Sequence, residues 1–145
     1  MVRWAGVALA TVLVVGASPV FADEQVRLDY LLHCSGCHLP DGRGAPPVVP
    51  GLQGDLGVIV GLPEGREYLV RVPGASQTPI TDKQLTDITN WILYRFNEKT
   101  LPTDFQPLTV AEVSRARSRV LLDPLRKRAE IWDRIEHRDT SSYSQ

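Results

Sequence analysis

Cys34-Ser35-Gly36-Cys37-His38 is the stretch that decides the fold. A C-x-x-C-H pentapeptide has the spacing of covalent haem attachment. Two thiols one helical turn apart can each add to a haem vinyl group. The next residue then sets an imidazole under the iron as proximal ligand. Two other chemistries use paired cysteines. A thioredoxin-type dithiol needs a βαβ context, which is missing from the sequence pattern here. A zinc site needs a second pair of ligands, and the chain has only two cysteines. The expected cofactor is therefore one haem c, held by Cys34 and Cys37, with His38 as the metal ligand.

The N-terminus fits that chemistry. Arg3 supplies a short positive region, and Trp4 to Gly16 is an apolar run without a charge. Val20-Phe21-Ala22 places small or apolar residues where a signal peptidase reads, so cleavage is expected after Ala22. The run is about 13 residues long, whereas a membrane helix needs about 20. A cleaved leader and a periplasmic address are expected, with no stable membrane span in the mature chain. The cysteines would end as thioethers, so no disulfide is expected.

Helices and loops alternate along the rest. Asp23 or Asp29 starts a first helix, with Val26, Tyr30 and Leu31 or Leu32 on its inner face. Leu39 to Leu62 is rich in Gly and Pro and reads as loop. Within it, Val58-Ile59-Val60 is an isolated apolar run, and strand signals are weak. Pro63 to Val70 reads as a short helix that ends by Pro73, with proline near its start. A second loop spans Gly74 to Ile80. Thr81 or Asp82 caps a helix carrying Leu85, Ile88, Trp91, Ile92 and Phe96 near a 3.6-residue period.

From Val26 to about Phe96 the chain resembles a class I cytochrome c. Four features carry the resemblance, in order: a helix leading into Cys34, Cys37 and His38; the small-residue loop Asp41-Gly42-Arg43-Gly44; Pro50-Gly51-Leu52; and Thr81-Asp82 opening an aromatic-containing helix. The resemblance implies an all-α domain around a covalent haem, with the first and last core helices crossing near Tyr30 and the Trp91 to Tyr94 face. It also implies that the Pro50 carbonyl accepts from the ligand histidine, which fixes the ring, and that Leu52 packs on the haem. The implied divisions are 1–22 signal peptide, 23–98 cytochrome c domain and 99–145 C-terminal helical extension.

One departure is informative. The family's usual sixth ligand is a methionine before the last core helix, and the only methionine here is Met1. Aligned by Thr81-Asp82, that position falls at Val72-Pro73, and valine cannot bind iron. An open distal site or another residue is left. Lys83 is the nearest candidate, and a solvated lysine is its plainer reading. His33 should point away from the iron. His137 reaches only if the tail folds over the haem. Tyr68, Ser76 and Thr78 are candidates to line the pocket. Arg43, Arg66 and Arg71 are candidate partners for haem propionates, each also readable as a surface charge.

The extension opens with an ordered linker, Leu101 to Pro107. Thr109 caps a helix to about Arg119, and Asp123-Pro124 opens another with Leu125, Ala129, Trp132 and Ile135 on one stripe. Self-docking of that stripe is expected, leaving the tail arginines on a cationic outer face, with Thr140 to Gln145 frayed. Formal charge is only −1 overall, which argues against nucleic-acid binding. No triad, carboxylate dyad or phosphate loop is present. The expected function is single-electron transfer with a periplasmic redox protein such as a dehydrogenase or an oxidase, with no enzymatic chemistry beyond a weak peroxidase activity at an open distal site. The alternative is a sensor or binder of NO, CO or peroxide through an open distal site.

Overall fold

The computed structural model describes residues 19–142. The apolar run of the expected leader lies outside them, as do the last three residues. The described chain is all-α, in an arrangement consistent with a class I cytochrome c-like domain. Its helices are α1 (Pro19–His33), α2 (Ser35–His38), α3 (Asp55–Ile59), α4 (Pro63–Arg71), α5 (Pro73–Ser76), α6 (Asp82–Asn97), α7 (Val110–Arg117) and α8 (Pro124–Ser142). Apart from an isolated bridge between Ala45 and Val49, no β-structure occurs among the described residues. No described helix is long and apolar enough to cross a membrane.

The frame is the crossing of α1 and α6. Thr81 starts α6 with a full capping box: its hydroxyl accepts from the Gln84 amide, and the Gln84 side chain accepts from the Thr81 amide. The 3.6-residue period then buries Leu85, Ile88, Ile92 and Leu93. At the crossing the Tyr30 ring lies 5.2 Å from Trp91 and 5.7 Å from Phe96, and Trp91 and Phe96 meet edge-on at 5.4 Å. Such tilted pairs add to the burial of their area. Gly42 passes directly over this cluster. It has φ +82°, and a Cβ there would press on the Phe96 ring at 3.0 Å.

Three expectations need correction. The first helix begins at Pro19, ahead of Asp23. The stretch Leu39 to Leu62 is not all loop, because Asp55–Ile59 is helical. Its Gly57 looks like a loop residue but serves close packing: a Cβ there would overlap Thr100, with the Thr100 carbonyl carbon at 2.8 Å and the Leu101 nitrogen at 2.9 Å. The stretch Gly74 to Ile80 likewise begins inside a short helix, α5. Asn97, fully buried at the end of α6, ties these parts together. Its amide donates to the Leu52 and Ile92 carbonyls at 2.8 and 3.1 Å, and its oxygen accepts from Gly57 N at 3.2 Å.

The extension docks on the rest of the chain. Thr109 caps α7 through a box with Glu112, and Val113 and Ala116 are buried. Arg66 of α4 holds Glu112 with two bonds, at 2.7 and 2.8 Å, a bidentate geometry that specifies orientation. In α8 the inward residues are Ile131 and Ile135. Trp132 is half-buried, while Leu125 and Ala129 are exposed, so the docked stripe is rotated from the expected one. Two ion pairs accompany that rotation: Arg128 meets Asp55 of α3 at 2.7 Å, and Arg134 meets Glu64 of α4.

The tail arginines do not all form an outer face. Arg117 has its side chain only 14% exposed. It donates to the carbonyls of Ser76 at 3.0 Å, Ile80 at 2.8 Å and Thr78 at 2.5 Å, and pairs with Asp82 at 2.9 Å. The Ser114 hydroxyl and then Arg117 hold the Asp82 carboxyl below the usual carboxylate range. Arg117 therefore staples the segment between α5 and α6. Replacing Arg117 with alanine leaves those carbonyls without their donor and is expected to cost about 2–3 kcal/mol in chemical denaturation. Arg117→Lys should recover only part of it, since an ammonium cannot fork over several carbonyls. A loss below about 0.5 kcal/mol, the range of ordinary surface changes, would refute the staple.

Candidate functional site

Local structure holds the motif rigidly. The Cys34 amide still bonds to Tyr30 O at 2.9 Å, continuing α1, and the His38 amide returns to Cys34 O at 3.0 Å in the single turn of α2. The chain then leaves through Leu39, a non-glycine residue at φ +61°. That conformation costs energy for a branched side chain. The Tyr30 hydroxyl holds it by donating to Leu39 O at 2.5 Å. Burial, followed by the neighbouring Cys34 and Asp41, pushes the Tyr30 phenol up to about 12, so it stays a donor.

Cys34, Cys37 and His38 form part of the wall of a cavity of about 500 Å³. Pro50 and Leu52 line the same cavity, so all five expected binding residues meet there. Leu56, Leu69, Leu85, Ile88 and Ile92 supply apolar walls. Both thiols are free, Cys34 half-buried and Cys37 exposed. Burial pushes the Cys34 thiol up to about 11. His38 sits below the ordinary imidazole range, because burial disfavours the cation, while the nearby Pro50 backbone oxygen opposes the shift. The neutral imidazole is the metal-binding form. Its Nδ1 is buried without a hydrogen bond. Pro50 is thus close enough to act on the ring's charge, yet the pair falls short of hydrogen-bond geometry.

Val72, Tyr68 and Thr78 also lie in the cavity wall. Ser76 does not; its hydroxyl turns back to Val72 O at 3.0 Å. Lys83 points outward, 74% exposed and paired with Asp87 at 2.6 Å. His33 is exposed and lies at the rim, and exposed His137 lies on α8 outside the wall. None of the three arginines offered for propionates reaches the cavity. Arg43 pairs with Asp41, Arg66 with Glu112, and Arg71 with Glu67 and the Arg119 carbonyl. Arg43 and Arg71 take acids two and four residues away, whereas the partner of Arg66 lies 46 residues on. The extension supplies what was missed: Leu122, Leu125 and Arg128 line the cavity. The apolar Leu121-Leu122 before the Asp123 cap was the signal that could have found them.

A second hollow, about 710 Å³, lies between α4 and α7. It is walled by the pairs Arg66–Glu112 and Glu67–Arg119 and holds none of the motif residues. Charges already matched in pairs make it a solvated groove. The chemistry-bearing side chains are in the other cavity. No group of three or more His, Cys, Asp or Glu side chains that could by itself hold a metal ion occurs among the described residues.

The chain is 27% identical over 106 residues to cytochrome c-552 of Thermus thermophilus, an alignment covering 61% of this chain and 81% of that protein. The same identity holds for a second cytochrome c-552 from Thermus thermophilus, of which 72% is covered. No family profile matches the chain, and no solved structure matches it. The similarity supports a c-type cytochrome.

Proposed function

We propose that this chain is an exported c-type cytochrome with a single haem, passing electrons to or from a periplasmic redox protein such as a dehydrogenase or an oxidase. The observation that carries the reading is the meeting of Cys34, Cys37 and His38 in the wall of one apolar cavity. The residues present suit such a group. Two free thiols can form thioethers, and a buried neutral imidazole can donate to iron. The nearby Pro50 oxygen is the acceptor that Nδ1 would use, which would strengthen the ring as a donor. When bound, haem supplies one-electron chemistry. The chain contributes the rest. Leu52, Val72, Ile88 and Ile92 supply apolar walls that would keep water from a bound group, and Arg117 fixes the segment that carries Thr78.

A second reading rests on Val72. Val72, at the position where the class I resemblance places a methionine, lines the cavity, and Lys83 is turned out to Asp87. A site without a strong sixth ligand would bind NO, CO or peroxide. The iron spin state of the purified protein separates the two. Low-spin iron without CO affinity supports the carrier, and high-spin iron that takes CO supports the ligand binder. Absence of haem would remove both. On either reading the midpoint potential should lie below the range of His/Met relatives, because methionine favours ferrous iron. Val72→Met should raise the potential and drive the spectrum toward low-spin His/Met, with some loss of stability from added volume. An unchanged spectrum in a folded Val72→Met protein would count against Val72 facing the iron.

A further inference from the structure

We propose that the C-terminal extension completes the cofactor cavity, and that Arg128 binds a carboxylate of the group held there. The inference rests on the haem reading above, where that carboxylate is a propionate. Leu122, Asp123, Pro124, Leu125 and Arg128 all line the cavity that contains Cys34, Cys37 and His38. Leu122 is 99% exposed and Leu125 49%. Two large apolar side chains left uncovered at a cavity mouth are what a broad apolar ligand would cover. A haem has such a face and also carries carboxylates, which need a cationic partner when shielded from water.

Arg128 is placed for that role. Its side chain is only 13% exposed, yet it reaches the cavity wall from the first turns of α8. Nη2 bonds to Asp55 Oδ2 at 2.7 Å. A guanidinium has five donors in a planar fork, so this bond uses one and leaves the fork able to span two carboxylates. Asp55 itself is 56% exposed, so the pair sits with its cation inward and its anion outward. Asp123 is the acid in this wall, and its oxygen is engaged as the cap of α8, accepting from the Arg126 amide at 3.0 Å. Arg43, Arg66, Arg71 and Arg117 are held elsewhere by oxygens of the chain. Arg128 is the arginine in the cavity wall.

Arg128 acts here as a positioning residue, and the midpoint potential at fixed pH and ionic strength reads it. A cation beside a propionate destabilises ferric iron. Arg128→Gln should shift the couple toward ferric by up to about tenfold, or about 59 mV for one electron. Asp55→Asn removes the competing carboxylate and leaves the cation, so it should shift the couple toward ferrous. Arg126→Gln is the control, since Arg126 is 77% exposed on the same helix and pairs with Glu130. It should move the potential by much less than Arg128→Gln. Equal shifts in Arg126→Gln and Arg128→Gln, or no shift in Arg128→Gln and Asp55→Asn, would overturn the proposal. If Arg128→Gln fails to accumulate, Asp55→Asn decides alone: a raised potential upholds the proposal, and an unchanged or lowered one overturns it. Haem staining of the unaltered protein keeps the two readings apart. A wild-type chain without covalent haem sinks the cytochrome reading, whereas haem that attaches normally with unresponsive potentials sinks only the role of Arg128.

Discussion

A chain carrying Cys34→Ala and Cys37→Ala together should show no haem-stained band on a denaturing gel, whereas each single variant should keep one thioether and a weaker band. The two thiols are the only ones in the sequence, and both border the same cavity. Alanine cannot add to a vinyl group. The effect should extend to folding. A domain of this length buries a modest share of its surface, and here part of its interior is a cavity of about 500 Å³. Without a bound group its apolar lining is left with too few neighbours, and walls that collapse inward must strain. The double variant should therefore lose thermal stability along with haem. A stained band at full intensity would end the cytochrome reading.

Gly65→Ala should be among the most destabilising single methyl additions in the described chain. Gly65 lies in the first turns of α4, buried against the end of α3. A Cβ there would overlap the Ile59 carbonyl oxygen, with the carbonyl carbon at 2.7 Å and Ile59 Cγ2 at 3.0 Å. The obstacle is backbone, so no side chain can swing aside. The helices must separate, pulling Tyr68 and Leu69 away from the cavity wall. Overpacking of this kind costs about 3 kcal/mol at its upper range, against a total stability of about 5–15 kcal/mol. Gly74→Ala is the contrast, because nothing lies within 4 Å of a Cβ there. Denaturation midpoints of the two variants that coincide would show that the α3–α4 approach is looser than described.

The parts of the fold that were legible before the structure are those set by neighbours in sequence. Thr81 and Thr109 read as caps because a hydroxyl followed three residues later by Gln84 or Glu112 is a local pattern, and both boxes form. Cys34, Cys37 and His38 were legible for the same reason. Val72 was legible through its place in the resemblance, and it does face the cavity. What was hidden depends on distant partners. Gly57 suggests a loop until Thr100 is seen against it. The stripe of α8 looked as if it ran through Ala129, but packing against α3 and α4 turns Ile131 inward, with Arg128 and Arg134 paired to Asp55 and Glu64. Which arginines face inward follows from carbonyls about 40 residues away, as for Arg117 and Ser76, and no window of sequence shows that.

The position of residues 122–128 in the cavity wall has a consequence for the order of assembly. The attachment motif emerges from synthesis early, while the wall segment holding Leu122, Leu125 and Arg128 follows only near the end of the chain. Until that segment docks, the cavity lacks the part of its wall that residues 122–128 supply. On the proposed haem reading, a group delivered to Cys34 and Cys37 before α8 docks would meet a wider entrance, and α8 would then settle like a door shut behind its occupant.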